Sequence, residues 1–425
     1  MALTEETLLS DEFVRQLTAV GEVDILVGVP TLNNRDTVER IIDAILVGLV
    51  KHYPRERSAL INVDRGSKDG TTDAVQAASI PDYRTVLTSN PLRTMHVVSA
   101  HYPGVEGQGR GLRMIYAAAD LLGAKACALI SPDLESMTPE WIDALIRPVL
   151  KENLDFVAPV YQRPRFDGLL VKNMLHPLIQ AAYGYRIEEP IGREIAFSGR
   201  LAAYFLEQDS GREDFLRFGA YAWMTTTAMA AGYRVCQSFL GPRVEASKRS
   251  GLDLNTTIRE IAAAVFHCME IHQHYWVSRQ GSQDVPTFGF QPALDFDPVR
   301  IDRKRMFQMF KSGVDELGSV LEKILSASTL ETIRENSKLE EKHFHFPDEL
   351  WAKTVYEFAS SHHRSVINRD HLLQALTPIY RGRVSSFIQE NLRNDAQEVE
   401  SRLESLRREY ERQKPYLIES WNRQT

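Results

Sequence analysis

Cysteine is scarce in this 425-residue chain: Cys127, Cys236 and Cys268 are the only three, and none forms a CxxC pair. That argues against a disulfide framework or a cysteine zinc site, and makes a reducing cytoplasm the expected compartment. No apolar run reaches the roughly 18–20 residues that cross a bilayer, so no membrane span is expected. The opening Met-Ala-Leu-Thr-Glu-Glu is acidic and lacks the apolar stretch of a secretory signal. Long basic runs are missing too, and the net charge is -7, which argues against a dedicated nucleic-acid binder. No internal repeat stands out.

What is present is the composition of an ordinary globular protein, with 43% hydrophobic and 25% charged residues, in a chain long enough for two or three domains. After a short helical lead-in over 1–20, brief aliphatic runs alternate with longer amphipathic ones up to about residue 240. This is the pattern of an α/β fold. Strands are expected at 24–29, 59–63, 94–99, 126–131 and 155–161, and helices at 35–52, 72–79, 109–122 and 139–151. The last helix has Thr138 as its N-cap and Pro139 in the first helical position. Beyond 250 the pattern turns helical: 251–274, a stretch from 304, 325–337 and 348–362, with an irregular crossover at 280–300. The tail from 383 to about 416 reads as one long helix whose apolar face holds Ile388, Leu392, Val399, Leu403, Leu406 and Tyr410. That face suits packing on its own chain or on a second copy. The expected organisation is a sheet domain over 1–250, with a distinct part from about 155, and a mostly helical region over 251–425.

Two strand ends carry the chemistry. Ile25-Leu26-Val27-Gly28-Val29 runs into Pro30-Thr31-Leu32-Asn33-Asn34, and Ile61-Asn62-Val63 runs into Asp64-Arg65-Gly66-Ser67-Lys68-Asp69-Gly70-Thr71. In an open α/β sheet, ligands bind at the carboxyl ends of strands. A carboxylate such as Asp64 there accepts hydrogen bonds from a base or ribose, while Gly66 and Gly70 permit left-handed backbone. A solvated turn is the plainer alternative. A third loop, Gly104-Val105-Glu106-Gly107-Gln108-Gly109-Arg110-Gly111, stands between a strand and a helix. Glycines there free N–H groups to meet a diphosphate.

In this order the loops resemble the nucleotide-sugar half of a GT-A glycosyltransferase. More narrowly, the chain resembles the retaining enzymes that make glucosylglycerate, mannosylglycerate or glucosyl-3-phosphoglycerate. Gly107-Gln108-Gly109 stands for that family's Gly-Lys-Gly, and Pro190-Ile191-Gly192-Arg193-Glu194 for its acceptor-side Pro-(Leu/Ile)-(Gly/Ala)-Gly-(Glu/Asp). Leu350-Trp351-Ala352-Lys353, His371-Leu372-Leu373 and the segment 376–383 resemble its helical C-terminal region. The resemblance implies a GT-A-like mixed sheet flanked by helices, and transfer of a hexose from UDP- or GDP-sugar to glycerate or a similar small hydroxy acid. It places the nucleoside at Pro30, Leu32, Asn33 and Asp64, and the diphosphate at Gly107, Gln108 and Gly109. Asp133 becomes the catalytic residue and the ligand of Mg²⁺ or Mn²⁺, and Arg163, Gly192, Arg193 and Glu194 face the acceptor.

The same comparison exposes losses. Where the family has Asp-x-Asp, this chain has Ser131-Pro132-Asp133. Gly219-Ala220-Tyr221 puts a phenol where an acid is expected. Glu245-Ala246-Ser247-Lys248 lacks the expected histidine, and Gln108 replaces the glycine-loop lysine. A departing diphosphate needs stabilising charge, usually from a divalent cation held by hard oxygens, and these losses weaken such a site. Lys248 or Arg249 would be fixed positive charges in its place. The second reading is therefore a catalytically inactive relative that binds nucleotide sugar or scaffolds an active paralogue, as a homo-oligomer or a mixed complex. Elsewhere, Arg163 and Arg165 suit a small carboxylate or simply an exposed loop. Arg193 would fill the acceptor pocket or serve it. His176 and His267 read as packed side chains, while His362, His363 and His371 lack a carboxylate at metal spacing in the sequence. Trp223 and Met224 read as core.

Overall fold

The computed structural model describes residues 8–78, 95–101, 109–208, 219–246, 254–291 and 301–423. The chain forms two compact units. The first comprises 1–162, 191–249 and 285–291; the second comprises 163–190, 250–284 and 292–425. The strands, in chain order, are β1 Ile25–Thr31, β2 Ser58–Asp64, β3 Met95–His101, β4 Ala126–Leu129, β5 Phe156–Gln162, β6 Tyr185–Arg186, β7 Ile195–Ser198, β8 Val235–Pro242, β9 Gln283–Asp284 and β10 Thr287–Phe288.

In the first unit eight strands form one sheet, ordered β10-β8-β5-β7-β4-β1-β2-β3. Every pairing is parallel except those of β7, which runs antiparallel between β4 and β5. This is the α/β architecture that the alternation of patterns predicts, and the mixed sheet flanked by helices that the resemblance implies. All seven residues of β1 and all seven of β2 are buried, which explains why both read as unbroken apolar runs and not as alternating ones. Pro30 is tolerated inside a central strand because β4 pairs with β1 only as far as Gly28. No neighbour on that side then requires an N–H from Pro30. Gly28 answers to packing: a Cβ there would lie 2.7 Å from Ile115 Cγ2, on the helix Gly109–Leu121 that covers the sheet.

The helices Arg35–His52, Thr71–Ala78, Gly109–Leu121 and Glu140–Leu150 lie close to their predicted bounds. The last begins just after Pro139, with no side-chain cap, so Thr138 does not cap it as expected. Strands β7 and β8 were not among the predicted ones. Residues 195–198, Ile-Ala-Phe-Ser, are too few and too uniformly buried to show an alternation.

The second unit is the mostly helical one. Trp276, Trp351 and Trp421 are fully buried in it, with Tyr356, Tyr410 and Phe266. The predicted single tail helix is in fact two, Arg369–Asn391 and Ala396–Asn422. The break follows from Asp395, which caps the second helix through a reciprocal capping box with Glu398. Val399, Leu403, Leu406 and Tyr410 are buried within this unit, so that face packs on its own chain, whereas Leu392, in the break, is exposed. His362 does have a carboxylate: its Nδ1 is 3.0 Å from Glu270, which also meets His267 and Arg369. Burial pushes the His176 imidazole down to about 3, as a packed and uncharged side chain. All three cysteines are buried. No helix among the described residues is long and apolar enough to cross a membrane.

Candidate functional site

The sheet order places a topological switch point in the first unit. The chain runs from β1 outward to β2 and β3, then returns to lay β4 on the other side of β1. Loops leaving β1 and β4 therefore part in opposite directions and open the edge between them, where ligands of such sheets bind.

The β1 and β2 loops are built as one piece. Asp64 ends β2 with no exposed surface, and its carboxylate accepts from Thr31 Oγ1 at 2.9 Å, Ser67 Oγ at 2.5 Å, and the backbone N–H groups of Gly66 and Ser67 at 3.0 and 2.9 Å. Burial alone would raise the pKa of Asp64, but those donors outweigh it and hold the group below the usual carboxylate range. Gly66 and Gly70 both adopt positive φ, as the turn requires. Asn33 is left-handed as well, at φ 55°. Its N–H donates to Ser67 Oγ at 2.8 Å, and its side-chain oxygen accepts from Lys68 N at 2.9 Å. Leu32 N donates to the Asn34 side chain at 2.7 Å, and Asn34 N donates to Thr71 Oγ1 at 2.7 Å.

Asn34 also bridges the switch. Its amide nitrogen donates to Asp133, in the β4 loop, and Thr37 Oγ1 donates to Pro132 O at 2.5 Å. The sequence alone did not single out Asn34, because nothing local distinguishes it from Asn33.

Reversal of β7 brings a further group to this edge. Ile195 at the start of β7 pairs with Leu129 at the end of β4, so Arg193 and Glu194 arrive beside the β4 loop. From β8 come Arg243 and Glu245, and an antiparallel bridge between Leu134 and Glu245 fastens that segment to the β4 loop. The result is a charge cluster of three carboxylates and two guanidiniums. Arg193 Nη1 lies 3.6 Å from Asp133, and its other nitrogen pairs with Glu245. Arg243 pairs with Glu245 and, at 3.1 Å, with Glu194. Glu194 is fully buried; Tyr161 donates to one of its oxygens, and the other, Oε1, has no hydrogen-bond partner. Its burial favours the neutral acid, yet Arg243 and Arg193 reverse the balance and hold its pKa below the usual range. Tyr221 is buried in the fields of Arg193, Glu194, Arg65 and Arg243, and burial pushes its phenol up to about 12, so it is neutral.

Pro30, Leu32, Asn33, Asp64 and Asp133 thus lie at the carboxyl ends of neighbouring strands β1, β2 and β4, and Gly192, Arg193 and Glu194 precede β7 beside them. Gly109 is the buried first residue of the helix Gly109–Leu121, while Gly107 and Gln108 lie outside the described residues, as do Lys248 and Arg249. Arg163 belongs to the second unit, where Glu189 at 2.7 Å and Asp167 at 3.0 Å neutralise its guanidinium. Arg165 donates there to Asn394 O. Tyr161 and Arg243 were not expected at the site, and Glu245 was noted only as part of a segment lacking a histidine; all three depend on pairings of β7 and β8 that leave little trace in the sequence.

A divalent cation needs several hard oxygen ligands free to face it. Asp133 instead faces an amide and a guanidinium, and Glu245 faces two guanidiniums. Among the described residues no group of three or more His, Cys, Asp or Glu is placed to hold a metal. Among the described residues, the donor set at this edge does not fit a divalent cation.

No protein-family model matches the chain, and no curated protein matches it. Among solved structures it is similar to glucosyl-3-phosphoglycerate synthase from Mycobacterium tuberculosis in complex with Mg²⁺ and uridine diphosphate, at 20% identity and a TM-score of 0.43, over 60% of this chain and 83% of that one. A structure of the same synthase with Mn²⁺, uridine diphosphate and phosphoglyceric acid is similar at 21% identity and a TM-score of 0.43, over 60% and 82%. A mycobacterial protein is similar at 22% identity and a TM-score of 0.43, over 63% and 80%.

Proposed function

We propose that the first unit binds a nucleotide diphosphate sugar at the edge between β1 and β4, and that the protein is a glycosyltransferase moving the hexose to glycerate or a similar small hydroxy acid. The observation that carries this reading is the switch point itself, with the β1, β2 and β4 loops cross-linked through Asn33, Asn34, Ser67 and Asp133. A rigid, polar rim on parallel strands suits a ligand with a planar base at one end and charge at the other. In this reading Leu32 and Asn33 border the nucleoside, Asp64 shapes the loop that receives it, and the loop ending at Gly109 takes the diphosphate. Asp133 faces the sugar, and the buried Glu194 anchors Arg243 beside it.

The ion pair between Arg193 and Asp133 favours a second reading, a catalytically inactive relative that keeps nucleotide-sugar binding. The test is a thermal-shift panel of UDP, GDP and ADP sugars with glycerate and 3-phosphoglycerate, followed by product analysis. A ligand at a hundred times its Kd stabilises by about 2.7 kcal/mol, which is easily read. A base-specific shift with product formation supports the transferase. A shift without product, and co-purification of an active relative, supports the second reading. No shift with any donor sinks both. Asp133→Ala is expected to lower turnover by orders of magnitude, and unchanged turnover removes Asp133 from the chemistry.

A further inference from the structure

The bridge between Leu134 and Glu245 fixes two chain segments side by side, so that Asp133 and Glu245 both meet the guanidinium of Arg193. Two carboxylates converging on one positive charge is the arrangement that otherwise collects a hard divalent cation. We propose that Arg193 is the built-in cation of this edge, standing where a metal ion would bind, and that the site takes a nucleoside diphosphate without a divalent metal. This rests on the reading that the edge receives such a ligand.

Three observations support the assignment. First, Arg193 is kept charged. A guanidinium stays protonated in proteins, and the carboxylates of Asp133 and Glu245 both face it. Second, the guanidinium is not sealed in. Its side chain retains 24% of its exposure, and of its five N–H donors only some are directed at Asp133 and Glu245. The remainder suit phosphate oxygens, which a planar guanidinium engages in pairs. Third, the other carboxylates of the cluster are already paired. Arg243 already lies against Glu194 and Glu245, and Tyr221 feels the charges of Arg65, Arg193 and Arg243 together. An incoming divalent ion would have to displace a guanidinium from Glu245 or Glu194 to gain their oxygens.

Removing the guanidinium should therefore create what the native chain lacks. In Arg193→Ala, Asp133 keeps its amide donor Asn34 and Glu245 keeps Arg243, so neither carboxylate is stranded and the fold is expected to survive. The experiment measures Mn²⁺ binding to the full-length protein by electron paramagnetic resonance, and UDP and GDP binding by calorimetry in EDTA and in Mn²⁺. Wild type is expected to bind no stoichiometric Mn²⁺ and to bind its preferred nucleotide within twofold in both conditions. Arg193→Ala is expected to bind Mn²⁺ at least tenfold more tightly than wild type, to lose tenfold or more in nucleotide affinity in EDTA, and to regain part of it with Mn²⁺. Arg193→Lys, which keeps the charge, is expected to remain metal-independent.

Stoichiometric Mn²⁺ on wild type that disappears in Asp133→Asn overturns the proposal. So does a folded Arg193→Ala protein that gains no Mn²⁺, or one that keeps full nucleotide affinity in EDTA. If neither UDP nor GDP binds wild type under any condition, the nucleotide-sugar reading fails, while the Mn²⁺ titration still decides the role of Arg193.

Discussion

Thr31 and Asp64, the last residues of β1 and β2, stand opposite each other in the parallel register, and the Thr31 hydroxyl donates to the Asp64 carboxylate at 2.9 Å. The residue that most resembles an exposed ligand in the sequence is thus turned inward, and shapes the loop. Asp64→Asn would keep an oxygen for the Gly66 and Ser67 N–H groups but set an amide NH₂ against the Thr31 and Ser67 hydroxyls that donate to the native carboxylate. A buried donor left without its charged acceptor costs about 1.5–3 kcal/mol, so a loss of that size is expected in urea denaturation. Nucleotide affinity should fall in step, because Asn33 hangs on the same loop through Ser67.

Arg243→Ala leaves Glu194 buried with only Tyr161 as donor. Breaking a buried pair by removing one partner costs about 3–5 kcal/mol. The double variant Glu194→Gln/Arg243→Met, which removes both charges, is expected to be more stable than Arg243→Ala alone. Equal or lower stability of the double variant would show that Glu194 is not left stranded.

Acid sensitivity follows from the same groups. Asp64, Asp155 and Glu194 are all held below the ordinary carboxylate range. For Asp155 the opposing influence of burial is overcome by Arg200, the Arg234 N–H and Ser198. A carboxylate with a depressed pKa stabilises the fold in full above its unfolded value, near 4, and the contribution fades as pH falls through the folded value. Stability is therefore expected to begin falling below about pH 6.5, where the unfolded chain protonates His176 and the folded one does not, and to drop further below about pH 4 as the carboxylates take up protons. Asp155→Asn should make that decline shallower, as measured by denaturation midpoints across the series.

Gly28→Ala would put a methyl 2.7 Å from Ile115 Cγ2 and 3.0 Å from Leu129 Cδ2, between the sheet and the helix that covers it. Overpacking of this kind costs about 1–3 kcal/mol. Adding Ile115→Val removes the Cδ1 atom that lies 2.8 Å from the same position, and should recover part of the loss in the melting temperature.

Much of the sheet was legible in the sequence because its signals are local. A buried parallel strand such as β2 announces itself by an unbroken apolar run, and the turn after it by glycines that tolerate positive φ. The helix Arg35–His52 was likewise fixed by its own apolar period. The tail was misread as one helix because Leu392 continues the period, while the capping box at Asp395 decides the break.

The composition and period of the chain by themselves determined an α/β unit with polar loops at strand ends, and a helical remainder. Only the tertiary structure decided what those loops contain. Asp133, Arg193, Arg243 and Glu245 come from the loops around β4, β7 and β8, and no local pattern links them. Antiparallel insertion of β7 and the bridge at Leu134 bring them within reach of one another, and the partly buried edge makes their pairing strong enough to matter. Burial periodicity is a property of neighbours along the chain. Charge pairing depends on distance in space and on the surrounding dielectric, and both exist only once the chain has folded.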